Sequence, residues 1–212
     1  MKKYLLAAGL IALLMPTVAS AQLPPKPNID LGIKAGANFA QLNGDDWEGG
    51  YKVNYLAGLF TGLRFKKFGV QVEGFFSQTK YTTSGQSFYD KYNTKVEFRP
   101  GANTGKKSSF NVGYINIPVL FQYKVLPFIW AQAGPQYAGI VSVRDVDDLV
   151  QDSKQLFKDG SFCGVVGLEA KLPVKLVVGA RYVFGLSDVN NTSTSGAWQQ
   201  NTIQLHVGFS FL

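Results

Sequence analysis

The sequence predicts an all-β fold, an eight-stranded antiparallel up-and-down transmembrane β-barrel with both termini periplasmic. Apolar residues recur at every second position over eight segments, which is the period of a strand and not of a helix. The connections between these segments are alternately long and short, as in outer membrane barrels with long external loops and tight periplasmic turns. After the N-terminal segment, no uninterrupted apolar run reaches the length of a membrane helix. A closed barrel is then the remaining way to pair every backbone group in lipid.

The N-terminal segment predicts export. Lys2 and Lys3 precede an apolar run over 5–15, and the small residues of 19–21 follow it. This is the pattern of a secretory signal peptide, and its apolar run is too short to span a bilayer. We therefore expect three parts: a cleaved signal peptide over 1–21, a short periplasmic lead over 22–27 and an outer membrane β-barrel domain over 28–212.

Cysteine content and charge narrow the class of protein further. Cys163 is the only cysteine, so an internal disulfide and an N-terminal lipid anchor are both excluded, and we interpret Cys163 as a small apolar filler. Cleavage removes Lys2 and Lys3, which lowers the formal charge from +7 to +5. For a basic exported chain we expect outer membrane lipid and lipopolysaccharide as acidic neighbours, and no nucleic acid. A solvated surface with an excess of lysine explains the charge equally well.

The eight predicted strands cover nearly the whole domain. They are 28–42, 51–65, 68–83, 109–124, 128–142, 161–172, 174–187 and 198–212. The first strand alternates Leu31, Ile33 and Ala35 with Gly32 and Lys34, so one face is apolar and the other is small or polar. The long links are 43–50, 84–108, 143–160 and 188–197, and the short links lie at 66–67, 125–127 and 173.

Aromatic residues cluster toward the two ends of the predicted strands, as in the interfacial girdles of membrane barrels. Toward the long links lie Tyr51, Tyr55, Tyr81, Tyr114, Tyr137 and Trp198, and toward the short links lie Phe65, Phe68, Tyr123, Phe128 and Phe211. The ordinary enrichment of strands in aromatics is the competing explanation.

The inward faces of the predicted strands carry charges of both signs. These residues are Lys34, Arg64, Glu73, Lys124, Glu169, Lys171, Arg181 and His206. An eight-stranded barrel is just wide enough for side chains to fill, and an unpaired charge there is costly. We expect Glu73 and Glu169 each to have Arg64, Arg181 or a lysine as a neighbour. The network is then structural, the lumen is plugged and no open solute channel exists.

Catalytic alternatives are weaker. Glu73 and Glu169 are candidates for a pair of acid and base carboxylates, but a charged lumen network already explains them. A barrel enzyme acting on envelope lipid needs a close histidine and serine, whereas Ser210 lies about 13 Å along the strand from His206. One histidine and no cysteine cluster give no metal-ligand spacing. We expect no catalytic residue, no metal, no cofactor and no enzymatic activity.

The long links carry opposite charges and are the predicted interaction surface. The candidate residues are Lys91, Lys95, Arg99, Lys106, Lys107, Asp145, Asp147 and Asp148. This surface fits lipopolysaccharide phosphates, a host ligand or a partner protein, with calcium at the aspartates as a variant; mutual attraction between solvated loops is the alternative. A short helix over 147–157 is also expected.

Three segments resemble a known family. YINIPVLFQYKVLPFIWAQAGPQYAGI (114–140), GIKAGANFAQL (32–42) and VVGARYVFGLSDV (177–189) resemble the signature segments of the Bacteroidetes-type outer membrane β-barrel proteins, the "porin family" or PorT family. The resemblance, extended by the closing VGFSFL, implies an integral barrel of the outer membrane without implying a pore. The last strand departs slightly from the usual assembly signal, because its aromatic residue, Phe211, is penultimate.

These observations together predict an integral outer membrane protein of a Gram-negative bacterium with a structural or interaction role through its extracellular loops. An envelope-lipid-modifying enzyme and a narrow transporter or secretion component are the alternatives. We expect a monomer whose biogenesis uses the barrel-assembly machinery. Pro118 and Pro135 fall inside predicted strands, where each removes a ladder donor, and we expect bulges or bends in the wall there.

Overall fold

A computed structural model describes residues 26–44, 47, 50–192 and 198–212. Its strands are β1 (Asn28–Asn43), β2 (Lys52–Arg64), β3 (Phe68–Ser84), β4 (Lys107–Lys124), β5 (Ile129–Asp145), β6 (Gly160–Lys171), β7 (Leu176–Gly185) and β8 (Gln199–Ser210). Each pairs with its sequence neighbours, and β8 pairs with β1 to close the barrel. All the pairings are antiparallel. The predicted eight-stranded antiparallel up-and-down barrel is confirmed, whereas the predicted signal peptide lies outside the described residues.

The wall of the barrel is apolar on its outer face. In β4, Ile115, Ile117 and Phe121 are exposed, whereas Asn116 and Gln122 between them are buried. This alternation places the apolar side chains toward lipid and the amides in the lumen, because successive strand residues point to opposite faces. No helix in the described ranges is long and apolar enough to cross a membrane.

Strand ends at the long loops differ from the prediction. β4 starts at Lys107 and β5 continues to Asp145, beyond the predicted limits at 109 and 142. Apart from Val143, these extensions consist of polar residues, so the apolar alternation ends before the backbone ladder does. At the other end, β7 starts at Leu176 and not at 174, because Lys175 adopts a positive φ of 62° in the tight turn.

The two strand prolines interrupt the ladder without shifting it. Two residue pairs are missing between β3 and β4 at Pro118, and two between β4 and β5 beside Pro135, and pairing resumes in the same register. The register shift in the β4–β5 ladder lies between Gly113 and Tyr114, so the prolines do not produce the expected bulges. The alternative expectation, a bend in the wall at each proline, stays a prediction. An antiparallel residue directs its N–H to one neighbour only, so a proline costs hydrogen bonds on one side and preserves the side-chain period.

The long loops fold into a cap over one end of the barrel. The second loop contains the helix α1 (Gly85–Tyr92), which was not predicted, and the third contains a 3₁₀ helix (Ser153–Leu156), shorter than the expected helix over 147–157. An isolated bridge joins Phe98 in the second loop to Val150 in the third, and another joins Phe157 to Asn190 in the fourth. The cap is therefore a folded unit.

Aromatic side chains form the core of this cap. Trp47 packs its ring edge-on against Trp198 at a centroid distance of 5.0 Å. The described part of the surrounding cluster is Leu42, Tyr81, Phe88, Tyr92, Val96, Phe110, Val112, Tyr114, Ala138, Ile140, Leu149, Val150, Leu156, Phe157 and Val189. The predicted placement of Tyr81, Tyr114 and Trp198 in an outer girdle is wrong, because all three are buried in the cluster. Tyr51, Tyr55 and Tyr137 are exposed on the wall, as the prediction requires.

Candidate functional site

Paired charges occupy the centre of the lumen. Lys34 Nζ lies 2.6 Å from Glu73 Oε1 and 3.6 Å from Glu169 Oε2. Arg181 Nη1 lies 2.8 Å from Glu73 Oε2, and His206 Nε2 lies 3.2 Å from Glu169 Oε2. None of the five side chains has exposed surface. The attraction is therefore little screened, and it offsets the cost of removing these charges from water.

A second group of charges extends the network toward the short turns. Asp30 accepts hydrogen bonds from Nε and Nη2 of Arg64, and Lys171 Nζ lies 2.9 Å from Asp30 Oδ2. The same ammonium lies 3.5 Å from Glu169 Oε1, which connects the two groups. Lys171 thus links the turn end of the lumen to its centre.

The structure brings most of the predicted lumen residues together. Lys34, Arg64, Glu73, Glu169, Lys171, Arg181 and His206 form one continuous network. Lys124 lies apart from it, with Nζ 5.9 Å from the ring centroid of Trp130, and it makes no ion pair within the described part of the chain. The sequence reasoning missed Asp30, although its even spacing from Lys34 in β1 places both on the inward face.

The rest of the described lumen is packed with amides and small apolar groups. Asn116 Nδ2 donates to Ser77 Oγ at 2.8 Å, and Gln136 Nε2 donates to Asn116 Oδ1 at 3.0 Å. A small buried apolar cluster consists of Leu120, Cys163, Val165 and Val183, so Cys163 packs as an apolar filler. Side chains fill the interior, as the size of an eight-stranded barrel predicts.

The chemistry available to these residues is limited. His206 contacts Glu169, whereas Ser210 Oγ donates to the backbone oxygen of Leu212 at 2.7 Å, so the two do not form a nucleophile and base pair. Within the described ranges, no three histidine, cysteine, aspartate or glutamate side chains are arranged to hold a metal ion. The arrangement pairs charges and fills space.

The predicted loop surface splits into structural and exposed residues. Asp145 accepts hydrogen bonds from the backbone N–H groups of Asp147 and Val150, at 3.1 and 2.8 Å. Asp147 accepts one from the N–H of Ser109 at 2.8 Å. These carboxylates hold the backbone of the third loop, which explains them without calcium.

Charge and backbone contacts also join the second loop to the third. Arg99 Nη2 lies 3.4 Å from Asp148 Oδ1, and the N–H of Arg99 donates to the oxygen of Leu149 at 3.1 Å. The remaining predicted cations, Lys95, Lys106 and Lys107, are exposed, and Lys91 is half-buried. The structure therefore places the basic second loop directly against the acidic third loop.

Asp188, which is partly exposed, organises the fourth loop through hydrogen bonds. Its Oδ1 accepts the backbone N–H groups of Asn190 and Trp198 at 2.9 and 2.8 Å, and its Oδ2 accepts from Lys158 Nζ at 3.1 Å. Burial raises the pKa of Asp188, but the two N–H groups and Lys158 outweigh it, so the pKa lies below the ordinary value of 3.8. The charged carboxylate thereby ties Trp198 into the cap.

Comparison with known proteins finds a matching family. The family described as "Outer membrane protein beta-barrel domain" matches residues 20–191. No curated protein matches the chain. One solved structure that it resembles is Ail, the attachment invasion locus protein of Yersinia pestis, in complex with the heparin analogue sucrose octasulfate. The two chains are 15% identical over 88% of this chain and 100% of Ail, with a TM-score of 0.46.

Two further solved structures resemble the chain at similar levels. Neisserial surface protein A is 12% identical over 85% of this chain and 97% of its own, with a TM-score of 0.47. OprG from Pseudomonas aeruginosa is 15% identical over 90% of this chain and 99% of its own, with a TM-score of 0.43. The family match spans most of the chain and agrees with the closed barrel of eight strands. The chain therefore belongs to the outer membrane protein β-barrel domain family, and it is an integral protein of the Gram-negative outer membrane.

Proposed function

We propose that this protein is a non-conducting, non-enzymatic barrel that displays a rigid interaction surface on its folded loop cap. In this proposal the long loops face the cell exterior, and both termini lie in the periplasm. The observation that carries it is the double closure of the barrel: a charged network fills the lumen, and an aromatic cluster covers the loop end.

The network opposes a solute path through the barrel. Lys34, Glu73 and Arg181 meet across the lumen from three different strands and have no exposed side-chain surface. Opening a path requires separating these charges, which then lose partners in a low-dielectric interior. The packed amides and apolar groups beside them also oppose a continuous polar path through the described interior.

The cap supplies the surface for recognition. Rings from separate loops pack together, with Trp47 against Trp198 and also against Phe157 at a centroid distance of 5.9 Å. Loops fixed in this way lose little conformational freedom when a partner binds, which favours affinity. The solvent-facing cations Lys95 and Lys106 of the second loop then form a preset site for an anionic partner.

We propose lipopolysaccharide phosphates as the first ligand class for this surface. Clusters of exposed lysine and arginine attract anionic headgroups, with about 1 kcal/mol for each cation near the surface. Arg99 forms an ion pair with Asp148, so Lys95 and Lys106 are the stronger candidates for contacting the phosphates. A protein partner with an acidic surface is the alternative occupant.

The remaining parts of the proposal concern origin and biogenesis. The signal-peptide pattern in 1–21 supports export, and the resemblance in 114–140 supports the Bacteroidetes-type porin family, or PorT family. Insertion by the barrel-assembly machinery and a monomeric state complete the proposal. An envelope-lipid-modifying enzyme and a narrow transporter or secretion component remain the competing functions, and no arrangement of described residues favours either.

Conductance recording tests the closed lumen. Purified protein reconstituted in planar bilayers is expected to give no stable current steps, while a general porin recorded in the same bilayers gives them. Heat-modifiable migration in gels verifies that the inserted protein is folded. Stable steps of general-porin size from folded protein would overturn the proposal.

Lipopolysaccharide binding tests the surface. The double variant Lys95→Gln/Lys106→Gln is expected to bind lipopolysaccharide vesicles about 30-fold more weakly, at about 1 kcal/mol for each cation. Lys66→Gln/Lys67→Gln removes the same charge at the opposite end and is the matched control, with unchanged binding to vesicles added to the loop side. Equal losses in both double variants would show that net charge, and not the cap, attracts the lipid.

A further inference from the structure

Cations crowd the turn end of the barrel, opposite the cap. They are Lys26, Arg64, Lys66, Lys67, Lys124, Lys171 and Lys175, at the ends of the strands and in the short turns. Among the described side chains of this end, Asp30 supplies the carboxylate that faces them, and Arg64 and Lys171 already share it. Lys66, Lys67, Lys124 and Lys175 have no carboxylate partner within the described chain. This excess serves neither the lumen network nor the cap.

A pocket of about 320 Å³ opens at the same end. Arg64, Lys171 and Lys175 line it together with Asp30, so its side chains carry three positive charges against one negative charge. Arg64 binds Asp30 through Nε and Nη2, which leaves Nη1 without a partner there. The side chains of the pocket thus carry a net charge of +2, and the carboxylate of Leu212, which also lines the pocket, lowers it to +1.

Its outer wall is apolar. Phe128, Leu172 and Leu176 line the pocket, and Phe128 is about half exposed, at 52%. Lys175 is fixed at the rim, because its Nζ donates to the backbone oxygen of Phe211 at 2.9 Å. Cations beside exposed apolar side chains match the boundary between phosphate groups and acyl chains of a lipid leaflet.

We propose that this pocket binds the phosphate of an anionic glycerophospholipid, with Lys175 and Arg64 facing the phosphate and Phe128 and Leu172 contacting the glycerol and acyl region. The net positive charge selects a headgroup with net negative charge over a zwitterionic one. Arginine and lysine are both established donors to phosphate oxygens. The proposal rests on the proposed orientation, which places this end in the inner, phospholipid leaflet.

Native mass spectrometry of the full chain in detergent tests the proposal. The folded protein is titrated with phosphatidylglycerol and, separately, with phosphatidylethanolamine. We expect stronger retention of phosphatidylglycerol by the wild type and about fivefold weaker binding by Lys175→Gln, the loss given by one cation near an anionic lipid. Lys154→Gln removes an exposed cation of the third loop, which lies outside this pocket, and is expected to retain phosphatidylglycerol like the wild type.

Several outcomes overturn the proposal. Equal retention of the two lipids removes the selectivity, and equal losses in Lys175→Gln and Lys154→Gln remove the site. Displacement of phosphatidylglycerol by inorganic phosphate, but not by chloride at the same ionic strength, assigns the pocket to free phosphate. Heat-modifiable migration identifies a variant that has failed to fold. If Lys175→Gln fails, Arg64→Gln serves as the second test, because it removes another cation of the same pocket while Lys171 keeps Asp30 paired. This experiment measures lipid retention and not conductance. The proposed lipid site can therefore be refuted without refuting the proposed closed lumen, and the reverse also holds.

Discussion

Replacing Glu73 by glutamine tests the central ion network most directly. The substitution keeps the size of the side chain and removes one negative charge between Lys34 and Arg181, which lie 2.6 and 2.8 Å away. All three side chains are enclosed. The variant therefore isolates the electrostatic role of the carboxylate from its packing.

The size of the effect follows from the partners that remain. Lys34 keeps Glu169 at 3.6 Å, so its charge stays paired. Arg181 keeps the side-chain oxygen of Gln204 at 2.5 Å but loses its carboxylate, and its Nη2 already has no partner among the described residues. An enclosed charge left without its counterion costs about 3–5 kcal/mol. We expect Glu73→Gln to lower the free energy of unfolding by about this amount.

Urea unfolding in lipid vesicles, followed by tryptophan fluorescence and by heat-modifiable migration, measures the change. The double variant Glu73→Gln/Arg181→Met removes the stranded cation and keeps apolar contact with Phe75, whose ring centroid lies 4.9 Å from the guanidinium. It should recover most of the loss. Lys154→Gln, which breaks the exposed pair with Asp159, is the control and is expected to cost no more than about 1 kcal/mol.

The reasoning is refuted if Glu73→Gln costs no more than the exposed control. A double variant less stable than Glu73→Gln alone would also contradict it, because the penalty would then not come from the stranded guanidinium.

Three further predictions concern the cap, the wall and acid. Trp198→Ala removes a fully buried ring from the cap and should weaken the cap locally by about 3–5 kcal/mol, seen as faster amide exchange in the loops while exchange in the turn-end strands is unchanged. Gly36→Ala places a Cβ 2.0 Å from the backbone oxygen of Leu205 and should lower the free energy of unfolding by about 1–3 kcal/mol. Gly74→Ala is the control, because its Cβ meets nothing within 4 Å, and it should leave the stability unchanged. Equal losses in refolding experiments would contradict this packing argument. The folded pKa of Asp188 lies below its unfolded value near 3.8, so its stabilisation is present above that pH and is lost as the pH falls through the folded pKa. Acid titration of tryptophan fluorescence should therefore show loosening of the cap at low pH in the wild type, and Asp188→Asn, which stays uncharged, should lack that transition.

The barrel wall was predictable because local chemistry dictates it. In β1, the alternation of Leu31, Ile33 and Ala35 with Gly32 and Lys34 gives both the strand period and the face that meets lipid. The order of long and short links then leaves few topologies other than neighbouring antiparallel pairing. Strand ends were less accurate, since β4 and β5 continue past the apolar pattern into polar residues.

The sequence predicted which charged residues face the lumen, but not which of them contact each other. Strand parity alone places Lys34, Glu73 and Arg181 in the lumen, yet it does not state which charges meet. The contacts depend on the stagger of the strands around the closed barrel, which also brings Asp30 to Arg64 and Lys171. A closed ring fixes these neighbours, because its register is set by all eight ladders together.

By itself, the sequence determined the strand period, the lipid-facing wall, the charged interior and the alternation of loops and turns. Each of these features depends only on residues that are close together along the chain. The tertiary structure decided what the loops do. Trp47 and Trp198 lie far apart in sequence, without periodicity around them, and they meet only when the barrel has brought four loops to one end. The sequence likewise does not predict the basic pocket at the other end, because Arg64 ends β2, Lys171 ends β6 and Lys175 lies in the turn before β7, and only the closed barrel places them side by side.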